Sequence, residues 1–419
     1  MRVLWFTSSP CGYLTQKGNR GYNGGGWMDS IEREIKKRSD IALGVCFPMN
    51  GQPFKSVVDN VEYFPIMHHS KKLKDKIIDA VKFYDVKRDE IVWPQYINQL
   101  KKVIDIFKPD VIEIFGSEIY IELAALATDN IPKILHIQGL LSLSLYIYYP
   151  NGVSPVTNYF QNWNPKKIYE RFQYDVNWKR SCYREQNIFK HVNHVIGRTA
   201  WDKAGAAILN PNAIYHYGGE ILRPVFYEKS ERLMPERLTI VTTSSGAMYK
   251  GFDFVLKVAD ILKNIIKVDF EWNVYGNVNP KFFEKVTGIN HQNVNIKLRG
   301  IASAEQLRDS ILHSTLYFQP SYIENSPNSV CEAQILGIPS IATNVGGTSS
   351  LIEEGVTGIL IPAGEPYYAA FQIENLYRDK ILNEKMGRKA KEVAERRHNR
   401  NEIISNLIRT YREVISCEK

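Results

Sequence analysis

The chain has 419 residues, 44% of them hydrophobic and 23% charged, and carries a formal net charge of +8. That length suits two domains of about 200 residues, each with its own core, and the apolar fraction excludes a disordered chain. The positive charge calls for anionic partners, but it is spread along the chain with no recognition motif, so nucleic acid is not expected among them.

Five cysteines stand at positions 11, 46, 182, 331 and 417. They are odd in number, far apart and form no C-x-x-C pair, so neither a disulfide framework nor a zinc site is indicated, and a reducing, cytoplasmic setting is expected. The N-terminus enters the strand-like run Val3 to Thr7 without the basic stretch and long apolar core of a signal peptide. Leu140 to Tyr149 is apolar but too short and too rich in hydroxyls to span a bilayer.

In the first half, strand-like segments at Arg2–Thr7, Ile41–Phe47, Val61–Pro65, Val111–Phe115, Lys133–Ile137, His194–Gly197 and Ala213–Tyr217 alternate with helical periodicity at Trp27–Lys37, Pro94–Phe107, Ile119–Thr128 and Ala200–Ile208. This is the pattern of a parallel α/β sheet. Gly24-Gly25-Gly26 follows the first strand and precedes a helix, so the backbone at Gly25 and Gly26 can approach a ligand closely, although a plain flexible turn reads equally well. His136 closes the strand Lys133–Ile137 at a carboxyl edge, where ligands of such sheets gather. Glu113 and Glu118 flank another strand end and read first as solvated loop charges, with binding of acceptor hydroxyls as the alternative. Arg198 follows the strand His194–Gly197 and is placed to meet a phosphate, while Thr199 is placed to cap the next helix.

Two stretches break the alternation. Lys71 to Arg88 is amphipathic and basic, of the kind that lies on anionic membranes. Leu140 to His191 is crowded with aromatics, among them Tyr146, Trp163, Tyr169 and Trp178, interleaved with Lys166, Lys167, Arg171, Arg180 and Arg184. Aromatic faces suit sugar rings and the basic residues a lipid-linked pyrophosphate, so the stretch reads as an acceptor region with peripheral contact to an anionic membrane, or as a helical insertion packing its own aromatics.

The second half repeats the α/β pattern, with strands at Leu238–Thr243, Phe270–Tyr275, Val294–Leu298, Leu316–Gln319, Ser340–Thr343 and Gly358–Ile361, and a helix at Phe252–Leu262. Lys250 precedes that helix at a strand's carboxyl end, where an ammonium can neutralise charge on a departing diphosphate. Gly276 and Gly300-Ile301 fall at other carboxyl edges. The stretch Leu316 to Gly347 organises this half. A strand ends at Pro320, a loop carries Glu324, Ser326 is placed as an N-cap with Pro327 at the first helical position, and the helix stops at Gly337. Amides at that helix N-terminus suit a phosphate, and Glu324 and Glu332, seven residues between them, suit hydroxyls on either side of it. Taken singly, both glutamates read as solvated helix-face charges.

The run Ile323-Glu324-Asn325-Ser326-Pro327-Asn328-Ser329 with Glu332-Ala333, Gly337-Ile338-Pro339, Val345-Gly346-Gly347 and Glu353-Glu354-Gly355-Val356-Thr357-Gly358 resembles the donor-binding half of family 4 retaining glycosyltransferases, over Leu238 to Ala363. The resemblance is thinner in the first half. It implies a GT-B fold of α/β class, in which two Rossmann-like parallel-sheet domains face each other across a cleft. Residues 1–224 would form the acceptor domain, 225–395 the donor domain, and 396–419 a helix crossing back to the first.

It further implies transfer of a sugar from a nucleoside diphosphate sugar to a saccharide or lipid-linked saccharide, with retention, as in capsule, exopolysaccharide or lipopolysaccharide synthesis. Lys250 and the amides around Asn325, Ser326, Asn328 and Ser329 would hold the diphosphate, Glu332 the ribose, Glu324 the transferred sugar, and His136 that sugar from the other domain. Gly25 and Gly26 would lie near the diphosphate, and Gly300 and Ile301 would present backbone to the base.

Two features depart from the family. The usual Pro-Asn-Gly hinge is missing near Glu220 and Arg223, where an inter-domain salt bridge is one explanation for Arg223. Ser245 stands where an arginine normally shares the task of Lys250, leaving the loop amides, Arg198 or an altered donor site as alternatives. No Asp-x-Asp pair is present, which weighs against a metal-dependent GT-A enzyme, and neither metal nor cofactor is expected. A sugar-nucleotide epimerase and a non-catalytic sugar-nucleotide binding protein remain alternatives, whereas an oxidoreductase lacks its dinucleotide fingerprint.

Overall fold

Two parallel sheets account for the apolar runs of the chain, each buried on both faces by helices. The computed structural model describes residues 1–16, 26–52, 54–67, 77–78, 85–150, 152–161 and 163–417. Gly25 and most of the basic stretch Lys71 to Arg88 lie outside the described residues.

The chain divides into two units, one of Met1–Leu145, Asn164–Ile221 and Asn399–Lys419, the other of Tyr146–Trp163 and Leu222–His398. The segment Tyr146–Trp163, read from sequence as part of the first domain, groups with the second unit, where the Tyr148 ring lies 5.8 Å from that of Tyr249.

The first unit holds β1 (Arg2–Phe6), β2 (Ala42–Pro48), β3 (Ser56–Val58), β4 (Val61–Ile66), β5 (Val111–Phe115), β6 (Lys133–His136), β7 (His194–Gly197) and β8 (Ile214–Tyr217). Their order in the sheet is β3-β4-β2-β1-β5-β6-β7-β8, parallel except where β3 pairs antiparallel with β4. The central strand reads Val3-Leu4-Trp5-Phe6 with every side chain at 0% exposure, as a strand covered on both faces must. Chain order reverses between β1 and β5, so loops leaving their carboxyl ends diverge and open a crevice.

One element of this unit differs from the sequence reading, and another takes the helical form that was one of its two readings. Tyr120–Leu126 winds as 3₁₀ turns. The aromatic and basic stretch contains a 25-residue helix, Pro165–Phe189, capped by Asn164, whose side chain accepts from the amides of Lys166 and Lys167. The C-terminal helix, Arg400–Cys417, buries Ile403, Ile404, Leu407, Ile408, Tyr411 and Val414 and belongs to the first unit.

The second unit holds β9 (Leu238–Thr243), β10 (Phe270–Tyr275), β11 (Ile296–Gly300), β12 (Leu316–Gln319), β13 (Ser340–Thr343) and β14 (Gly358–Ile361), in the order β11-β10-β9-β12-β13-β14 and wholly parallel. Here chain order reverses between β9 and β12. The helix expected to begin at Pro327 under a Ser326 cap begins one residue later, as Asn328–Ile335 with Pro327 at the cap. After Gly347, where Gly346-Gly347 followed by a Thr348 cap predicts a further helix, the chain makes one 3₁₀ turn, Thr348–Ser350.

Candidate active site

Where β9 and β12 diverge, the loops that leave them bring Lys250 and Glu324 together. Lys250 ends the 3₁₀ turn Met248–Lys250, and its Nζ donates to Glu324 Oε1 at 2.6 Å. The same oxygen accepts from Gln319 Nε2 at 2.9 Å and Ser321 Oγ at 2.8 Å. Burial works against the ammonium, but Glu324, with Tyr249 and Tyr317 behind it, outweighs that cost and holds Lys250 above the ordinary lysine range. The loop is clamped by Gly346, whose φ is +51° and where a Cβ would lie 1.9 Å from the Glu324 carbonyl oxygen, so only glycine fits.

Glu332 sits about one turn into the Asn328–Ile335 helix, buried at 4% exposure. It does not face solvent. Both its oxygens are taken by Arg223, Nε to Oε1 at 2.7 Å and Nη2 to Oε2 at 2.8 Å. Burial pushes its carboxyl above the usual range in spite of that guanidinium. Arg223 and Glu332 both lie in the second unit, which removes the inter-domain salt bridge as the explanation for Arg223.

At the N-terminus of that helix the Asn328 and Ser329 amides precede the first intrahelical partners. Asn325 is buried, and Ser329 Oγ donates to Gln319 Oε1 at 3.3 Å. Ser326 is half-buried and Ser245 is exposed in the β9 loop, where Gly246 N donates to Ser244 Oγ at 3.3 Å. Gly276, at φ +119°, passes so close to Ser244 that a Cβ would lie 1.9 Å from its carbonyl oxygen. Gly300 has open space on its Cβ side, and Ile301 beside it is 71% exposed.

The carboxyl edge of the first sheet is built differently. His136 is 1% exposed at the end of β6, its ring stacked on Phe115 at 5.2 Å and against Trp27 at 5.0 Å. Its Nδ1 lies 2.7 Å from Glu113 Oε1. Burial pulls the imidazole below its ordinary value, against the bond to Glu113, so the ring is neutral at pH 7. Gly26 opens the helix Gly26–Ile35 that carries Trp27.

Arg198 is 9% exposed, paired with Glu220 at 2.9 Å and centred 5.2 Å from the Trp27 ring. Its Nε and Nη1 are buried and make no hydrogen bond among the described residues. Glu113 and Glu118, read first as solvated charges, are not. Glu113 is at 0% exposure, and burial pushes the Glu118 carboxyl up to about 7 against the amides of Ser117 and Gly139.

Beside Glu118 the first unit has a cavity of about 700 Å³, lined by Tyr169, Gln173, Asn177, Arg180 and Ser181 of the long helix. Its floor includes Arg184, whose Nη1 donates to Asp89 Oδ2 at 2.8 Å.

Residues 226–393 match the family model described as glycosyl transferases group 1. The second unit is a group 1 glycosyltransferase domain. A D-inositol 3-phosphate glycosyltransferase of Paenarthrobacter aurescens is 30% identical over 207 residues, 47% of this chain and 50% of that protein. The chain thus spans about half the length of the curated relatives it matches.

Among solved structures, sucrose-phosphate synthase from Thermosynechococcus elongatus superposes with a TM-score of 0.70 at 12% identity, covering 100% of both chains. HepE from Anabaena, in complex with UDP and glucose, superposes with a TM-score of 0.63 at 14% identity, covering 98% of this chain and 99% of that one. The chain has the GT-B fold of these structures.

Of the residues singled out in the glycosyltransferase domain, Lys250 and Glu324 meet directly, and the Asn325–Ser329 run joins the strand end to the helix that carries Glu332. Three participants were not foreseen: Gln319 and Ser321, which share Glu324, and Arg223 as the partner of Glu332. The sequence signal for the first two was their place at the end of β12.

Proposed function

We propose that the chain transfers a sugar from a nucleoside diphosphate sugar, bound by the glycosyltransferase domain, to a hydroxyl of a saccharide or lipid-linked saccharide, with retention of anomeric configuration. The observation that carries this reading is the Lys250–Glu324 pair at the point where chain order reverses in the second sheet, next to a helix N-terminus and inside the matched family domain.

In this reading the donor diphosphate lies against Lys250 Nζ and the amides of Asn328 and Ser329, and Glu324 turns to hydroxyls of the transferred sugar. Glu332, held by Arg223, meets the ribose. The anomeric carbon breaks from the phosphate oxygen as the acceptor oxygen bonds to it on the same face. The acceptor proton passes to the departing phosphate, whose charge Lys250 neutralises. HepE, solved with UDP and glucose, supports a uridine donor in particular. Metal independence rests on the missing Asp-x-Asp pair alone, and the setting in surface polysaccharide synthesis on family usage.

The acceptor is assigned to the first unit. Its 700 Å³ cavity offers amide, hydroxyl and guanidinium groups beside the face of Tyr169, a lining suited to a saccharide of one or two rings. Contact with an anionic membrane rests on the basic amphipathic composition of Lys71 to Arg88, most of which lies outside the described residues, and on the aromatic and basic composition of Leu140 to His191. Sedimentation with anionic vesicles at low salt tests it, and no binding would remove it. Among the described residues no helix is long and apolar enough to cross a membrane.

Incubation with UDP-, GDP- and ADP-sugars and a panel of saccharides tests transfer itself. The reading requires nucleoside diphosphate release that depends on the saccharide, with an α-linked product from an α-linked donor. Donor conversion with no saccharide present would instead indicate an epimerase, and binding without release a non-catalytic protein.

A further inference from the structure

A buried polar chain in the first unit runs from the C-terminal helix to His136, and the transfer chemistry above makes no use of it. Trp5 in β1 donates its Nε1–H to Tyr411 Oη at 3.0 Å. Tyr411 donates its hydroxyl to Glu113 Oε2, and Glu113 Oε1 faces His136 Nδ1 at 2.7 Å. Trp5, Tyr411 and Glu113 are at 0% exposure and His136 at 1%.

The directions of these bonds are fixed by what each group can do. An indole N–H only donates, so the Tyr411 oxygen accepts from it and the phenol proton points at Glu113. Burial and the neighbouring Glu113 hold Tyr411 well above the ordinary tyrosine range, so it keeps that proton. Glu113 Oε1 then faces a ring nitrogen. Imidazole is ordinarily the more basic of the two groups, so the shared proton resides on Nδ1. A neutral imidazole carries one proton, which leaves Nε2 with a bare lone pair. Nε2 is buried and makes no hydrogen bond among the described residues. The rings of Phe115 and Trp27 hold the imidazole plane, so the direction of that lone pair is set.

We propose that Tyr411 and Glu113 are positioning residues that fix His136 as the Nδ1–H tautomer and so make its Nε2 an acceptor for a substrate hydroxyl. The proposal rests on the reading of His136 as a residue that meets the sugar. An unpaired buried acceptor is costly, and a ligand hydroxyl relieves that cost. The C-terminal helix, 298 residues away in sequence from Glu113, therefore acts on the site through one phenol.

The test is a long-range proton–nitrogen correlation spectrum of the full chain labelled with ¹⁵N-histidine, recorded without substrate. His136 is assigned by its absence in His136→Asn. The unsubstituted protein should show a protonated Nδ1 and a bare Nε2. Tyr411→Phe and Glu113→Leu should both move the proton towards Nε2. Tyr411→Phe should also lower kcat roughly tenfold, about one hydrogen bond's worth, with the donor KM unmoved.

A proton on Nε2 in the unsubstituted protein, or an unchanged His136 spectrum in Tyr411→Phe, would overturn the proposal. Tyr411→Phe is close to isosteric and carries the test if Glu113→Leu does not fold. Normal turnover by His136→Asn would overturn it from beneath, through the assumed contact with substrate. Because the tautomer is read without substrate, that failure is separable from a wrong hydrogen-bond chain.

Discussion

At the carboxyl edge of the second sheet the polar groups are charged and partly open to solvent, with Lys250 at 23% and Glu324 at 10% side-chain exposure. At the edge of the first, His136, Glu113 and Tyr411 stand at 1% or less and are joined by directed hydrogen bonds. Both edges belong to parallel sheets whose chain order reverses at the centre, so the backbone does not explain the contrast. An ammonium and a carboxylate that pair with each other can each turn to a ligand, which suits an edge that takes up and releases an anion. A buried network of directed hydrogen bonds has no such freedom and suits an edge that presents a fixed acceptor.

The contrast can be broken most severely at Lys250. Lys250→Ala should lower turnover by roughly 10²- to 10³-fold, the loss of one charge partner in the transition state, while unfolding by urea shows the domain intact. Turnover near that of the unsubstituted protein would mean that the open, charged edge is not where diphosphate departs.

Arg223→Met should cost about 3 kcal/mol of stability, the lower end for one partner removed from a buried pair, since Arg223 itself is 28% exposed. Glu332 already stands above its ordinary value because it is buried. A raised folded-state value gives stability that is present at acid pH and lost as pH rises. The variant's deficit should therefore be smaller at pH 4 than at pH 8. An equal deficit at both would place the loss in packing.

Glu118 sharpens the picture of the first edge. Its folded value of about 7 lies above the ordinary 4.5, so its contribution is full below 4.5 and is lost as pH climbs through 7. Glu118→Gln cannot ionise, so its stability relative to the unsubstituted protein should rise by about 2 kcal/mol between pH 4 and pH 8, after allowance for partial solvent contact. A pH-independent difference would contradict the buried acid. The smallest effect is expected in the cavity. Gln173→Ala and Asn177→Ala should each raise the acceptor KM roughly tenfold, about one hydrogen bond, and leave the donor KM unmoved. A change in the donor KM instead would assign the cavity to the wrong substrate.

The same contrast decides what was legible in the sequence. In the second unit, the strand end, Glu324, the helix N-terminus, Glu332 and the Gly346 clamp fall within Leu316 to Gly347, so local composition and spacing expose them together. Only the helix start was misplaced, by one residue, because Pro327 serves as the cap itself. In the first unit the decisive contacts are long-range. Nothing near Glu113 signals that its partner is Tyr411, and a carboxylate in the expected strand Val111–Phe115 reads as solvated when it is buried in the middle of β5.

The long helix was only one of two readings of its stretch, for a different reason. Its inner face buries Arg180, Arg184 and Glu185, with Glu185 accepting from Ser117 Oγ and the amides of Leu141 and Ser142, so the apolar periodicity that marks a helix is diluted by satisfied charges.

The most direct measurement is thermal unfolding of the chain and of Lys250→Ala with UDP-, GDP- and ADP-sugars. One of these donors, at about 100 times its dissociation constant, should stabilise the unsubstituted protein by roughly 2.7 kcal/mol, and the same concentration should stabilise Lys250→Ala measurably less. Stabilisation by none of the three, or an equal shift in both proteins, would contradict a donor diphosphate held at the β9–β12 edge.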